Sequence, residues 1–200
     1  MPDIDAVAAA IFEAAQTEIL PRFRNLQADE IKEKSPGDLV TLADLETEQT
    51  LKRALLELSP GSVFVGEEAV AENPKLLQAL RTEPVCWLVD PIDGTINFAH
   101  GVPLFATMVA LVIAGKTVCG WIYDPVHDVM AMAEKGSGAF LSGKSIKVPP
   151  SPDLDRLSGC LHLSGYDREL AAAAARNFEA VGPLPVSYTH LRAHETSLHL

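Results

Sequence analysis

Two aspartates three positions apart, Asp90 and Asp93, follow the apolar run Trp87-Leu88-Val89, with Pro91 between them and Gly94 immediately after. The run predicts a buried strand, Pro91 stiffens a turn between the two carboxylates, and Gly94 lets the backbone approach a ligand closely. Such a pair suits a hard cation. Magnesium takes oxygen ligands in near-octahedral geometry and keeps several waters, so two or three carboxylates, a backbone carbonyl and substrate oxygens complete its shell. A second acidic pair, Glu67 and Glu68, follows Gly66 at the end of the apolar run Val63-Phe64-Val65. Carboxylates at the end of a buried strand are costly unless solvated, paired or metal-bound, and an ion shared by Glu67 and Asp90 removes that cost. Thr95 adds a hydroxyl, and the free amides of a helical turn opening at Thr95, Ile96 and Asn97 could grip a phosphate oxygen.

Each of these residues has a plainer reading. Asp90 and Asp93 could form a surface turn, which Asp, Pro and Gly make routinely. Glu68 could serve the dipole of a starting helix, and Lys34 lies in the charged run Glu30–Lys34, which could be a solvated strand face. His100 and His127 raise the question of a general acid or base, the part histidine most often plays, but a scheme built on an ion needs neither, and both read as surface residues. Cys86 and Cys119, within apolar runs, read as packing thiols.

Several elements must position these groups. Asp3 can cap a helix whose apolar positions Ile4, Val7, Ile11, Ala14 and Ala15 continue towards Ile19, Leu20 and Phe23. Ser35-Pro36-Gly37-Asp38 signals a turn. Thr41 then opens a second helix through Leu45, Leu51, Leu55 and Leu58, ended by Pro60-Gly61. Val63–Val65, Val85–Val89, Phe105–Ile113, Val118–Tyr123 and Val129–Ala133 predict strands of a meandering, largely antiparallel sheet. Asp167–Ala180 reads as a further helix by propensity alone.

The chain has 200 residues, 48% of them hydrophobic, enough to bury a core. With 27 acidic against 16 basic residues its net charge is −11, which excludes a nucleic-acid surface or an anionic membrane as partner. The three cysteines show no C-x-x-C spacing, so neither a zinc site nor a disulfide framework is suggested, and a reducing cytoplasm fits. The longest apolar run, Val102–Gly115, is too short to span a bilayer, and the chain reads as soluble.

The segments Asp38-Leu39-Val40-Thr41, Gly66-Glu67-Glu68 and Asp90-Pro91-Ile92-Asp93-Gly94-Thr95-Ile96-Asn97-Phe98 closely resemble the inositol monophosphatase family. Gly120–Pro125 and Lys135–Gly143 look like the hairpins that follow in that family, and the resemblance covers residues 1–185. It implies an α/β layered sandwich, with helices and an antiparallel sheet in the N-terminal part and a smaller second α/β part. It also implies that Glu67, Asp90, the Ile92 carbonyl and Asp93 hold catalytic magnesium. Asp44 would pair with Thr95 to orient the attacking water, giving catalytic roles to Asp44, Glu67 and Thr95. The Gly94 and Thr95 amides would bind phosphate, and Lys34 and Glu68 would support the outer shell. The implied activity is lithium-sensitive hydrolysis of a small phosphate monoester, inositol monophosphate foremost. Histidinol phosphate and nucleotide 3'-phosphates stay open as substrates, as does a homodimer.

Members of that family carry a later Trp-Asp pair whose aspartate completes a second metal site. No such pair follows Asp93 here, where Trp121 precedes Ile122. Residues 1–145 are therefore expected to form the metal-binding α+β part, and 146–185 the start of an incomplete C-terminal α/β part. A catalytically impaired, truncated metal-binding chain is the competing expectation. Residues 186–200 read as a non-native tail. Val186-Ser187-Tyr188-Thr189-His190-Leu191-Arg192-Ala193-His194-Glu195-Thr196 looks like read-through into adaptor sequence, and the spacing of His190, His194 and His199 matches no compact metal site. Deleting residues 186–200 should leave the melting temperature within error; unfolding on deletion would show that the tail belongs to the fold.

Overall fold

Asp3 starts the first helix, its Oδ1 accepting the Asp5 amide at 2.9 Å. Helix α1 (Ile4–Ala14) then buries Val7, Ile11 and Ala14 at helical spacing and widens into a π-helical turn over Ala15–Ile19. The computed structural model describes residues 2–35 and 38–148, together with 169, 170 and 173. The chain divides into two units, Met1–Lys147 and Val148–Leu200, and every strand described lies in the first. Pro36 and Gly37 of the expected turn, most of the expected helix Asp167–Ala180, Cys160 and the tail lie outside the described residues.

Strands β1 (Ile31–Ser35) and β2 (Asp38–Thr41) pair antiparallel, with Lys32 opposite Val40. Helix α2 (Leu42–Leu58) follows at once. Thr41 and Asp44 close a capping box in which the Asp44 carboxylate accepts the Thr41 amide at 2.8 Å. The face that α2 buries carries Ala43, Leu51 and Leu55, and with them Asp44, Thr47 and Glu48. Leu45, expected on the apolar stripe, is instead exposed. The inward face runs through positions 44, 48, 51 and 55, and position 45 lies about 100° away from Asp44.

The main sheet has the order β3-β4-β5-β6-β7-β8-β9. Its strands are β3 (Val63–Gly66), β4 (Val85–Asp93), β5 (Ala106–Ile113), β6 (Lys116–Asp124), β7 (Val129–Glu134), β8 (Gly138–Leu141) and β9 (Lys144–Ile146). β3 and β4 are parallel, joined through α3 (Glu67–Glu72) and α4 (Ala79–Thr82), and all other neighbours pair antiparallel. One face, with Trp87, Val89, Val109, Leu111, Trp121 and Tyr123, joins α1 and α2 in the hydrophobic core. Trp121 fastens the layer to the chain's start by donating from Nε1 to the Ile4 carbonyl at 3.1 Å.

The opposite face has a different character. Pairing across the strands aligns Leu88, Ala110, Gly120, Ala133, Ala139 and Ile146 in one row, with small residues in the middle and large ones at the ends. That row forms the floor of an apolar groove of about 650 Å³, which reaches Glu67 and Asp90 at one end. Leu51, fully buried, should lose about 2–5 kcal/mol of stability on replacement by alanine. Leu45→Ala on the same helix should cost less than about 1 kcal/mol. Urea titrations of the two variants check the assignment of the faces, and equal losses would overturn it.

Candidate active site

The parallel pairing of β3 and β4 sets Gly66 opposite Val89, so the chain leaves β3 into Glu67 beside the point where β4 reaches Asp90. Asp90, Pro91, Ile92 and Asp93 all belong to β4, and the turn expected at Pro91 is a bulge within the strand. Asp90 faces Met108 and Asp93 faces Ala106, so three steps on β4 match two on β5. Proline has no N–H to give a ladder, and the Pro91 carbonyl is taken by the Thr107 hydroxyl at 2.9 Å. In a regular strand, positions 90 and 93 point to opposite faces. The extra residue breaks that alternation, and Asp90 feels the charge of Asp93.

Gly94 then turns the chain into helix α5 (Thr95–Ala99) with φ 93°, a left-handed conformation, and a Cβ there would meet the Leu104 carbonyl oxygen at 3.0 Å. The Thr95 hydroxyl lies 3.0 Å from Asp44 Oδ1 and 3.0 Å from the Ile92 carbonyl. Its single proton serves one of them at a time, while its lone pairs stay available. The buried Asn97 holds the turn closed by donating to the Leu104 carbonyl at 2.6 Å.

Lys34 reaches the same end of the sheet from β1. Its Nζ lies 3.0 and 3.2 Å from the two Glu68 oxygens, 3.3 Å from Glu67 Oε1 and 3.8 Å from Asp38 Oδ1. The charged run is thus not simply a solvated face. The structure brings together Lys34, Asp44, Glu67, Glu68, Asp90, Ile92, Asp93, Gly94 and Thr95. His100 and His127 are exposed, engaged with the Ile96 carbonyl and with Asp124. Cys86 and Cys119 are buried free thiols. Sequence reasoning missed Glu48, whose buried carboxylate accepts the amides of Glu68 and Ala69 at 2.8 and 3.1 Å. Its signal was an acid one helical turn after Asp44, in line with Leu51 and Leu55.

Burial and crowding of like charge push Asp44, Glu48, Glu68 and Asp90 up. Desolvation raises Asp90 first, followed by the charge of Glu67, a hydrogen bond with Glu67, and the charges of Asp93 and Asp44. Glu68 is pushed up to about 7 by burial in spite of Lys34, and Asp44 and Glu48 are raised chiefly by burial. Burial works against the Lys34 charge, but its acidic partners lift it above the ordinary value. Asp90 Oδ1 is buried and has no hydrogen-bond partner. Among the described residues no three Asp, Glu, His or Cys side chains close around one point. The arrangement is therefore an open set of oxygen donors, which fits an ion that keeps waters and substrate oxygens in its shell.

A carboxyl that binds its proton more tightly in the fold than in the unfolded chain stabilises the fold while protonated. For Glu68 that contribution is complete below its ordinary 4.5 and is lost as pH rises through about 7, and Asp90 acts in the same direction. In excess chelator the melting temperature should therefore fall between pH 5 and pH 8. Glu68→Gln and Asp90→Asn should each flatten that slope, and a slope unchanged in both variants would remove these groups as its source.

The model of the inositol monophosphatase family matches residues 2–185. Inositol monophosphatase 1 of Bos taurus is 38% identical over 122 residues, 61% of this chain and 43% of that protein. An inositol-1-monophosphatase of Rhizobium meliloti is 34% identical over 145 residues, 72% of this chain and 52% of that protein. The chain thus spans about half the length of the curated relatives it matches. The crystal structure of the extragenic suppressor protein suhB from Bartonella henselae is 31% identical, with TM-score 0.69, and the match covers 88% of this chain and 66% of that one. On its motifs, its layered α/β fold and the extent of these matches, the chain belongs to the inositol monophosphatase family.

Proposed function

We propose that this chain is the metal-binding part of a magnesium-dependent phosphatase that acts on small phosphate monoesters, inositol monophosphate foremost, in a reducing cytoplasm. The observation that carries the reading is the meeting of the Glu67 and Asp90 carboxylates, with Asp90 Oδ1 left without a partner, beside a threonine hydroxyl held by a buried aspartate. Glu67, Asp90, Asp93 and the Ile92 carbonyl would hold magnesium. When bound, the ion supplies positive charge that screens phosphate oxygens and makes water in its shell more acidic.

The chain's own groups do the rest. Asp44 accepts from the Thr95 hydroxyl, whose lone pairs then accept a hydrogen bond from an attacking water and hold its oxygen in line with phosphorus. The amides of Gly94, the N-cap of α5, and of Thr95, its first residue, would bind a phosphate oxygen, since the opening amides of a helix have no partner within it. Lys34 offsets the charge of Glu68 and Glu67 without entering the reaction. Positioning and electrostatics dominate phosphoryl transfer, so no nucleophilic Ser or Cys is needed. A second reading is favoured by the span of the chain, about half that of its relatives: a chain that binds the ion and turns over slowly or not at all.

Phosphate release from inositol monophosphate, histidinol phosphate and a nucleoside 3'-phosphate, each measured with Mg²⁺ and with excess chelator, separates the readings. Activity should need Mg²⁺, fall with lithium, and drop by roughly 100-fold or more in Glu67→Gln and Asp93→Asn at unchanged circular dichroism. Mg²⁺ binding without release of phosphate supports the second reading. Full turnover in chelator sinks the metal assignment.

A further inference from the structure

Helix α3 begins without a cap of its own. Its N-cap residue is Gly66, which has no side chain to accept the amides of the first turn. Those amides are served from α2. Glu48 Oε2 accepts the Glu68 amide at 2.8 Å, and Oε1 accepts the Ala69 amide at 3.1 Å. The carboxylate passes through the space a side chain at 66 would fill, since a Cβ on Gly66 would lie 2.3 Å from the Glu48 carboxyl carbon. With φ −98° and ψ 155°, position 66 has a conformation any residue adopts, so glycine is required there for room. Glu48 is 3% exposed, and one turn earlier on the same helix Asp44 holds Thr95.

We propose that Glu48 is a positioning residue of the site: by tying the first turn of α3 to α2, it fixes where Glu67 stands relative to Asp90 and Thr95. The proposal rests on the reading of Glu67 and Asp90 as magnesium ligands. A cap supplied by residue 66 itself would satisfy the same amides but would leave α3 free to shift against α2. Glu48 does both, because its backbone belongs to the helix that also carries Asp44. Two carboxylates four residues apart on one helix thereby grip the two turns that carry Glu67 and Thr95.

The difference between capping and positioning can be measured in the full chain. Glu48→Ala should lower the melting temperature in chelator and weaken Mg²⁺ binding at least tenfold by calorimetry. Gly66→Ser alone should also lower the melting temperature, because its side chain meets Glu48. Combined with Glu48→Ala, the serine has room and caps α3 from its own N-cap position. The double variant should recover most of the lost stability yet keep Mg²⁺ affinity at least fivefold below that of the unaltered chain. Mg²⁺ affinity within twofold of the unaltered chain in the folded double variant overturns the proposal and reduces Glu48 to a cap. If Glu48→Ala does not fold, Glu48→Gln carries the same comparison: weaker binding at unchanged circular dichroism supports the proposal, and equal binding overturns it. An unaltered chain that binds no Mg²⁺ sinks the metal reading itself, and this is told apart from failure of the Glu48 proposal by where the loss appears.

Discussion

Asp44, Glu67 and Asp93 all raise the cost of a charge on Asp90, and Asp90 is itself largely removed from water. That mutual repulsion is the condition the surrounding elements must meet, because like charges at short range separate unless something holds them. Backbone amides and one lysine do the holding. The Thr41 amide takes Asp44, the Glu68 and Ala69 amides take Glu48, and the Lys34 ammonium spans Glu67 and Glu68. Among the carboxylates of the described residues, only Asp90 keeps a buried oxygen with no hydrogen-bond partner. The crowding is therefore matched nearly everywhere by fixed donors, and left open at the one place where a mobile cation could complete it.

Helix α2 does this work because its two ends belong to different environments. Leu51 and Leu55 lie in the core beneath the sheet, while Asp44 and Glu48 extend the same face towards the acidic end. Apolar burial of one half anchors the other, so polar groups that would shift at a surface are held at set distances. The bulge at Pro91 plays the matching part on the sheet. It spends one residue without a ladder partner, and in doing so brings a second aspartate into reach of the first.

Much of this was legible in the residues. Apolar spacing and end signals gave both long helices and the first five strands of the sheet, since these depend on local pattern. The motif from Asp90 to Phe98 named the strand end where the acids gather, because proline and glycine at fixed offsets admit few backbone paths. Two things were hidden for a common reason. The exposure of Leu45 and the burial of Glu48 depend on which part of the fold stands opposite, and no period in the sequence records that. Pro91 was read as a turn because the local signal for a turn and for a bulge is the same; the pairing with β5 decides between them.

The groove side of the sheet bears on the colloidal behaviour of the chain. Leu88, Ile122, Leu141 and Ile146 are exposed on that side, and Ala110, Gly120, Ala133 and Ala139 make its middle low and flat. A patch of that kind attracts others like it, and at neutral pH the opposing influence is the repulsion between molecules carrying a net charge of −11. Towards the isoelectric point near 4.9 that repulsion vanishes, and concentrated salt shortens its range to a few ångströms. The acidic composition thus opposes association through this patch, within limits set by pH and ionic strength.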